Sequence, residues 1–201
     1  TVRSGELLVV IDERIYRQRL EQALAALHSA QAALANSTQS QSSAQGSVAQ
    51  TKAGIASAQA ALAKAQNNDP TLTPILHDAK GYAVFPTVGK GAIGIGGAYG
   101  KGVLYEGGSF LGYCDLTQAS IGFQLGGQAY TEIITFATPE ALTLFKTGNF
   151  AFDAQATAVA IKADAAANAN YSHGVVVFTM DAAGLMFEAS IGGQKFGYQA
   201  K

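Results

Sequence analysis

Hydrophobic and polar positions follow two different periods along this chain, and the change falls near residue 67. Before it, apolar residues recur every seven positions on an Ala- and Gln-rich background, which is typical of a helix that packs through one stripe. After it, apolar and polar residues alternate in short runs separated by glycines, as in strands and turns. Asn67-Asn68-Asp69-Pro70 is a strong break. We therefore predict a helical or coiled-coil segment over 1–66 and a separate domain over 67–201.

The first segment is predicted to be one long helix or a helical hairpin, with Asp12 as a capping residue. A large residue opens most heptads, and a small one follows three positions later. Small residues let helix backbones approach closely, so we expect a homo-oligomer or a helical partner along residues 20–65. Residues 36–47 are poor helix formers and could instead form the turn of a hairpin. The heptad positions are Leu20, Leu27, Leu34, Gln41, Val48, Ile55 and Leu62.

The second segment is predicted to be an α+β domain with a curved, mainly antiparallel, Gly-rich and barrel-like sheet. Strands that follow one another without helices favour antiparallel pairing. Glycines inside such strands mark bends and bulges. Short helices are expected over 71–80 and 139–146, the second after a Thr138 cap. Strands are expected over 82–85 (ending at Pro86), 92–105, 109–116, 120–125, 130–136, 150–161, 174–180, 185–191 and 195–199.

The glycines are concentrated in one run, since fourteen of the 23 lie between Gly81 and Gly127. Within it, Gly89-Lys90-Gly91-Ala92-Ile93-Gly94 has the spacing of a dinucleotide loop. That loop needs a helix directly after it, so that backbone N–H groups face a phosphate. Here a strand-like alternation continues instead, which disfavours a nucleotide site.

Composition excludes several classes of function. The chain has 13 basic and 14 acidic residues, so no bulk attraction to nucleic acid is expected. It has one cysteine, Cys114, which we expect to be a small buried hydrophobe. It has no apolar run long enough for a spanning helix. No signal peptide or lipid-attachment cysteine is visible at its start, so an exported protein would have lost that part.

Catalytic chemistry is not indicated. The three histidines are isolated from cysteines and carboxylates at ligand spacing, which disfavours a metal site. The carboxylates in the predicted strands are expected to face solvent. A catalytic pair of carboxylates is the less favoured alternative. We predict no enzyme and no cofactor. The residues concerned are His28, His77, His173, Asp115, Glu132, Asp153 and Glu188.

Five residues of the glycine-rich run are predicted to bind lipid. Three lysines lie near aromatic residues there, a combination that suits an anionic headgroup beside an acyl boundary. The alternative is that the aromatics belong to the core and the lysines are merely solvated. The five are Lys80, Phe85, Lys90, Tyr99 and Lys101.

Residues 67–201 resemble the SYLF family. The resemblance is carried by Ala79-Lys80-Gly81, Val84-Phe85-Pro86, the stretch 96–104, Gly122-Phe123-Gln124-Leu125-Gly126-Gly127 and Gly184-Leu185. It implies a non-catalytic domain that binds membrane lipids, with phosphoinositide and actin binding in eukaryotic members. Bacterial members resemble envelope proteins and are often lipoproteins. The resemblance thus implies a periplasmic, membrane-associated protein that binds anionic phospholipid headgroups or a membrane surface.

A second resemblance covers residues 1–66. Val2-Arg3-Ser4-Gly5-Glu6-Leu7-Leu8-Val9-Val10-Ile11-Asp12, followed by an Ala/Gln/Leu helix, is similar to the start of periplasmic adaptor (membrane-fusion) proteins. In that family a lipoyl-like half-motif leads into a coiled coil. The alternative function is therefore a coiled-coil scaffold, or an adaptor-like component of a secretion or efflux assembly.

Overall fold

The computed structural model falls into two compact units, residues 1–50 and residues 51–201. Several predicted features lie outside the described residues: most of the strands over 120–125 and 185–191, the glycine motifs at 122–127 and 184–185, and most of the adaptor-like start. The described residues are 3–4, 7, 12–93, 95–121, 128–148, 150–152, 158–169, 171–181 and 191–201.

The first helix, α1 (Arg14–Asn68), is continuous, so the long helix is observed and the hairpin is not. The hydroxyl-rich stretch is helical, and two of its hydroxyls bond back to backbone carbonyls one turn earlier. Thr38 Oγ1 donates to the Leu34 carbonyl at 3.0 Å, and Ser40 Oγ donates similarly to the Asn36 carbonyl. Asp12 accepts the N–H of Arg14, as a cap should.

The end of α1 packs on the sheet within the second unit. Ala58 and Ala65 are fully buried, together with Leu72 of the short helix α2 (Leu72–Asp78). Asp69 joins the two helices to a later loop. Its carboxylate accepts the N–H of Thr71 at 3.0 Å and that of Ala166 at 2.8 Å. The small residues of the last heptads therefore pack against strands, whereas a partner helix was expected.

Among the described residues, seven strands form one curved sheet in the order β5-β6-β4-β1-β2-β3-β7. All pairs are antiparallel except β5 with β6. This confirms the predicted α+β class with its curved, mainly antiparallel sheet. The elements are β1 (Gly81–Ile93), β2 (Ile95–Glu106), β3 (Ser109–Ile121), β4 (Gln128–Phe136), α3 (Pro139–Lys146), β5 (Val159–Ala160), a 3₁₀ turn (Ala166–Asn168), β6 (Val175–Asp181) and β7 (Gln194–Ala200).

The sheet curls strongly around its inner face, the face that carries Phe85. The rings of Phe85 on β1 and Phe196 on β7 have centroids 5.9 Å apart, although two strands separate β1 from β7. Phe145 of α3 fills the space inside the curl, 5.3 Å from Phe196. The opposite, outer face is covered in part by α1 and α2.

Several local predictions are confirmed. The β2–β3 turn is at Gly107-Gly108, both with positive φ, as in the favoured hairpin turns. Helix α3 begins after Thr138, whose hydroxyl accepts the N–H of Ala141 at 3.2 Å. Gly148, with φ 72°, follows its end. Cys114 is buried, as expected.

Four predicted boundaries are wrong. Residues 92–93, expected to begin the strand over 92–105, form the end of β1. β1 does not end at Pro86, because a bulge between Val84 and Thr87 accommodates a residue that lacks an N–H. Residues 120–121 extend β3 and do not open a new strand. Of the strand expected over 150–161, the described residues form only β5 and a single bridge between Ala151 and Lys195.

Two glycines of β2 make room for the inner core. A Cβ on Gly102 would lie 2.6 Å from the Phe85 ring and 2.8 Å from the Val84 carbonyl oxygen. A Cβ on Gly100 would lie 2.9 Å from Val88. Both contacts are far closer than ordinary van der Waals distances. These glycines are therefore required by close packing.

We predict opposite effects for two glycine-to-alanine changes. Gly102→Ala should lower the free energy of unfolding by about 1–3 kcal/mol, because the added methyl clashes with Phe85. Gly54→Ala, in α1 with nothing within 4 Å of the new atom, should raise it by about 0.5–1 kcal/mol. Urea unfolding measures both. A Gly102→Ala protein as stable as the wild type would contradict this packing argument.

Candidate functional site: an outer cleft and an inner polar cluster

A cleft of about 310 Å³ opens on the outer face of the sheet, between α1 and the bulge of β1. We call it the outer cleft. Its walls are largely small or apolar, with one lysine from the helix. The lining residues are Ser57, Ala60, Ala61, Lys64, Pro86, Thr87, Ala129, Tyr130, Thr131 and Met180.

The bulge and the alanines of α1 account for the outer cleft. At the bulge the pairing of β1 with β4 is interrupted, and the hydroxyl of Thr131 donates to the Pro86 carbonyl at 2.9 Å. On the helix side, Ala60 and Ala61 have no side chains long enough to fill the gap. Lys64, one turn further along α1, is exposed. The outer cleft thus combines an apolar wall with a solvent-accessible ammonium group.

Two of the five predicted lipid-binding residues lie on the face of the sheet that carries the outer cleft. Lys101 is exposed on the outer face of β2, and its cross-strand partner on β1 is Thr87, which lines the cleft. Tyr99 lies on the same face and is 52% exposed. Asp115 faces Lys101 from the other side, on β3. The structure therefore places Lys101 and Tyr99 on one face of β2, with Lys101 directly across from Thr87 of the outer cleft.

The other three predicted residues lie elsewhere. Phe85 is fully buried in the inner core. Lys90 is half-buried and points to the inner face, since its partner Ala98 is buried there. Lys80 is exposed just before β1, and its backbone N–H donates to the Phe136 carbonyl. The five residues do not form one site, and their binding role stays a prediction.

A second feature is a group of polar side chains on the inner side of the curl: Tyr130, Glu132, Thr179 and Gln194, the inner polar cluster. Tyr130 is partly buried and also lines the outer cleft. Glu132, Thr179 and Gln194 are fully buried. The Gln194 amide nitrogen donates to Glu132 Oε2 at 3.0 Å and lies 3.4 Å from the Tyr130 hydroxyl. Thr179 is the cross-strand partner of Glu132. Three of the oxygens, Glu132 Oε1, Gln194 Oε1 and Thr179 Oγ1, have no hydrogen-bond partner in the described structure.

Burial raises the pKa of Glu132 to about 7, against hydrogen bonds from Gln194 and Tyr130 that lower it. The expectation that this carboxylate faces solvent is wrong. Asp115 is exposed as expected, and Asp153 and Glu188 lie outside the described residues. The alternation Tyr130, Glu132, Ile134 along β4 is the signal that would have placed Glu132 inside.

Sequence reasoning also missed the helix side of the outer cleft. Residues 57–64 were assigned to a separate coiled coil, whose small residues were expected to face another helix. The spacing of Ala58, Ala61 and Ala65 does indicate close packing, but it does not reveal that the partner is a sheet.

Two further findings concern membrane helices and metal ions. Within the described residues, no helix is both long enough and apolar enough to cross a membrane. No group of three or more His, Cys, Asp or Glu side chains in the same residues could hold a metal ion.

Residues 117–200 match the family described as Ysc84, Las17-binding protein actin regulator. This match confirms the resemblance to the SYLF domain family. It covers less than half of the chain and runs from the middle of β3 through β7. The inner polar cluster lies inside the matched stretch, and the five predicted lipid-binding residues lie before it. Comparison of the chain with curated proteins finds no match.

We predict that Glu132 makes folding stability depend on pH. Its pKa is higher in the folded protein than the ordinary 4.5, so the folded state binds the proton more tightly. The stability present below pH 4.5 should therefore be lost as the pH rises through about 7, by an amount on the order of 3 kcal/mol.

Urea unfolding of the wild type and Glu132→Gln across this range tests the prediction. The difference in the free energy of unfolding between the wild type and Glu132→Gln should change with pH. Glu21→Gln, on the exposed part of α1, is the matched control and should follow the wild type. Parallel pH curves for wild type and Glu132→Gln would show that Glu132 is not the cause.

Proposed function

We propose that this protein is a non-catalytic lipid-binding protein that associates with membranes through the outer cleft. The observation that carries the proposal is that the outer cleft combines an apolar wall with the exposed Lys64. The volume, about 310 Å³, lies at the lower end of small-molecule sites. It suits part of a lipid, such as one segment of an acyl chain, while the rest stays in the bilayer.

Anionic phospholipid headgroups are the ligands that the charges favour. Lys64 lines the outer cleft, and Lys101 lies on the same face of the sheet, on β2. A lysine near an anionic membrane surface contributes about 1 kcal/mol of attraction. Tyr99 presents an aromatic ring on the same face, the kind of side chain that settles at the headgroup level. Asp115 beside Lys101 moderates the positive charge.

The matched family supports this choice, since it is related to lipid binding or actin regulation and is generally non-enzymatic. We propose lipid over actin for this chain because the outer cleft is small and lined by apolar groups. The proposed location is the periplasmic side of a bacterial cell envelope. That part of the proposal draws on the resemblance of residues 1–66 to periplasmic adaptors and on the envelope character of bacterial SYLF members.

Cosedimentation with vesicles tests the proposal. Wild-type protein should pellet with phosphatidylglycerol vesicles and much less with phosphatidylcholine vesicles. Ala60→Phe fills the outer cleft from an exposed position of α1 and should reduce binding at least several-fold. Lys64→Glu combined with Lys101→Glu should remove the preference for the anionic lipid.

The controls are matched on the same helix. Ala32→Phe adds an equal ring at an exposed position of α1 in the first unit, and Lys52→Glu makes an equal charge change at an exposed lysine that does not line the outer cleft. Both should bind like the wild type. Equal loss of binding in the control and the cleft variants would place the contact elsewhere.

A coiled-coil scaffold is the second candidate, favoured by the exposed apolar stripe in the first unit. Leu20, Leu27 and Leu34 recur at heptad spacing and are 60%, 52% and 69% exposed. A repeat of exposed leucines on a long helix is the pattern of one strand of a coiled coil. An adaptor-like role in a secretion or efflux assembly is a special case of this candidate.

We predict that Leu27→Asp with Leu34→Asp lowers the self-association of the full chain by at least ten-fold, because two charges would enter the apolar seam. Sedimentation equilibrium measures the dissociation constant. Gln31→Asp, exposed between them on α1 and outside the heptad positions, is the control. A wild-type protein that stays monomeric at high concentration would exclude self-association as its function.

A further inference from the structure

The unpaired oxygens of the inner polar cluster are the least explained feature of the second unit. A buried acceptor without a partner costs roughly 1–3 kcal/mol, and native proteins rarely keep one without a reason. Here three such oxygens come from β4, β6 and β7, on side chains that are all fully buried. Three unpaired acceptors in one group suggest a single ligand that donates hydrogen bonds to all of them.

The positions of the three side chains bring the oxygens to one place. Thr179 lies directly across from Glu132 on the paired strand, where side chains stand about 5 Å apart. Gln194 reaches the same carboxylate across the curl, with its nitrogen 3.0 Å from Glu132 Oε2. Because the oxygen and nitrogen of an amide share one carbon, Gln194 Oε1 lies close to this hydrogen bond. The Glu132 carboxylate is thus the centre of the group.

The chemistry of these oxygens selects a donor. Two of them, on Glu132 and Gln194, are acceptors that cannot bond to each other, and the hydroxyl of Thr179 can accept as well. A proton on Glu132 would let the carboxyl donate to the Gln194 amide oxygen and pair both without a ligand, so a ligand is needed only in the carboxylate form. In that form the single hydroxyl proton of Thr179 can serve only one of the two oxygens. A primary ammonium group carries three N–H donors and a positive charge that offsets the carboxylate.

We propose that the inner polar cluster is a binding site for a primary ammonium group, with Glu132 as its counter-ion. The three N–H bonds are donated to Glu132 Oε1, Gln194 Oε1 and Thr179 Oγ1. This inference does not depend on the outer cleft.

The neighbouring groups set the pH dependence. Tyr130 lies two residues before Glu132 on the same face of β4. Lys90 lies on the same face of β1, two residues beyond Val88, which is the partner of Tyr130. From β7 comes the neutral Gln194, and from β6 the neutral Thr179 together with Asp181, which holds the register position opposite Tyr130. Binding requires the carboxylate form of Glu132, so it strengthens from pH 6 to pH 8.

The test is thermal unfolding of the full chain at pH 8 with methylammonium chloride or ethanolamine, against choline chloride and sodium chloride at equal ionic strength. Methylammonium and ethanolamine should raise the unfolding temperature by about 3 °C. Choline carries the same charge without an N–H and should give the same curve as sodium. An equal shift with choline, or no shift with any amine, overturns the proposal.

Variants locate the effect. Glu132→Gln keeps the shape, removes the charge and should abolish the response. Thr179→Val removes one acceptor and should weaken binding about ten-fold, which keeps the test decisive if Glu132→Gln does not fold. Thr135→Val changes a buried threonine on the opposite face of β4 and should retain the full response. Loss of the response in Thr135→Val as well would overturn the assignment.

Vesicles distinguish a free amine from a lipid headgroup. A binding preference for phosphatidylethanolamine over phosphatidylcholine vesicles that disappears in Glu132→Gln identifies the headgroup as the source. A response to free methylammonium without that preference identifies a soluble amine. Ala60→Phe separates this site from the outer cleft, because it should leave the response to methylammonium unchanged.

Discussion

The packing of the Phe85 ring against the glycines of β2 is the contact on which the fold of the second unit depends. Gly102 offers no side chain where the ring lies, and Gly100 does the same for Val88. Without that space, β1 and β2 could not lie at their observed separation over a filled interior. The curl would open, and Phe196 on β7 would lose its contact with Phe85.

The curl also brings together residues that are far apart along the sheet. Glu132 and Gln194 belong to strands separated by three others, yet they share a hydrogen bond. The aromatic interior excludes water from this pair, and that exclusion raises the pKa of Glu132. The same packing that stabilises the domain therefore creates its most unusual chemical environment.

The sequence predicts local structure here better than it predicts sites. Period and capping locate α3, and the paired glycines locate the β2–β3 turn, because these depend on neighbours in the chain. The predicted end of β1 at Pro86 is wrong because a bulge accommodates a residue without an N–H. A bulge is a property of two paired strands and is not visible in one strand's sequence. The outer cleft was out of reach for a similar reason: Lys64 and Thr87 meet only through the docking of α1 on the sheet.

The pairing of β3 with β7 has a consequence for biosynthesis. Asp115 and Gly197 are register partners, so the loop between them closes late and at a high entropic cost. Phe196 must leave the ribosome before the aromatic interior can be complete. Until then Phe85, Phe136 and Phe145 have only part of their cover, and the nascent chain presents apolar surface. A holdase chaperone that covers this surface during synthesis would raise the yield of folded protein.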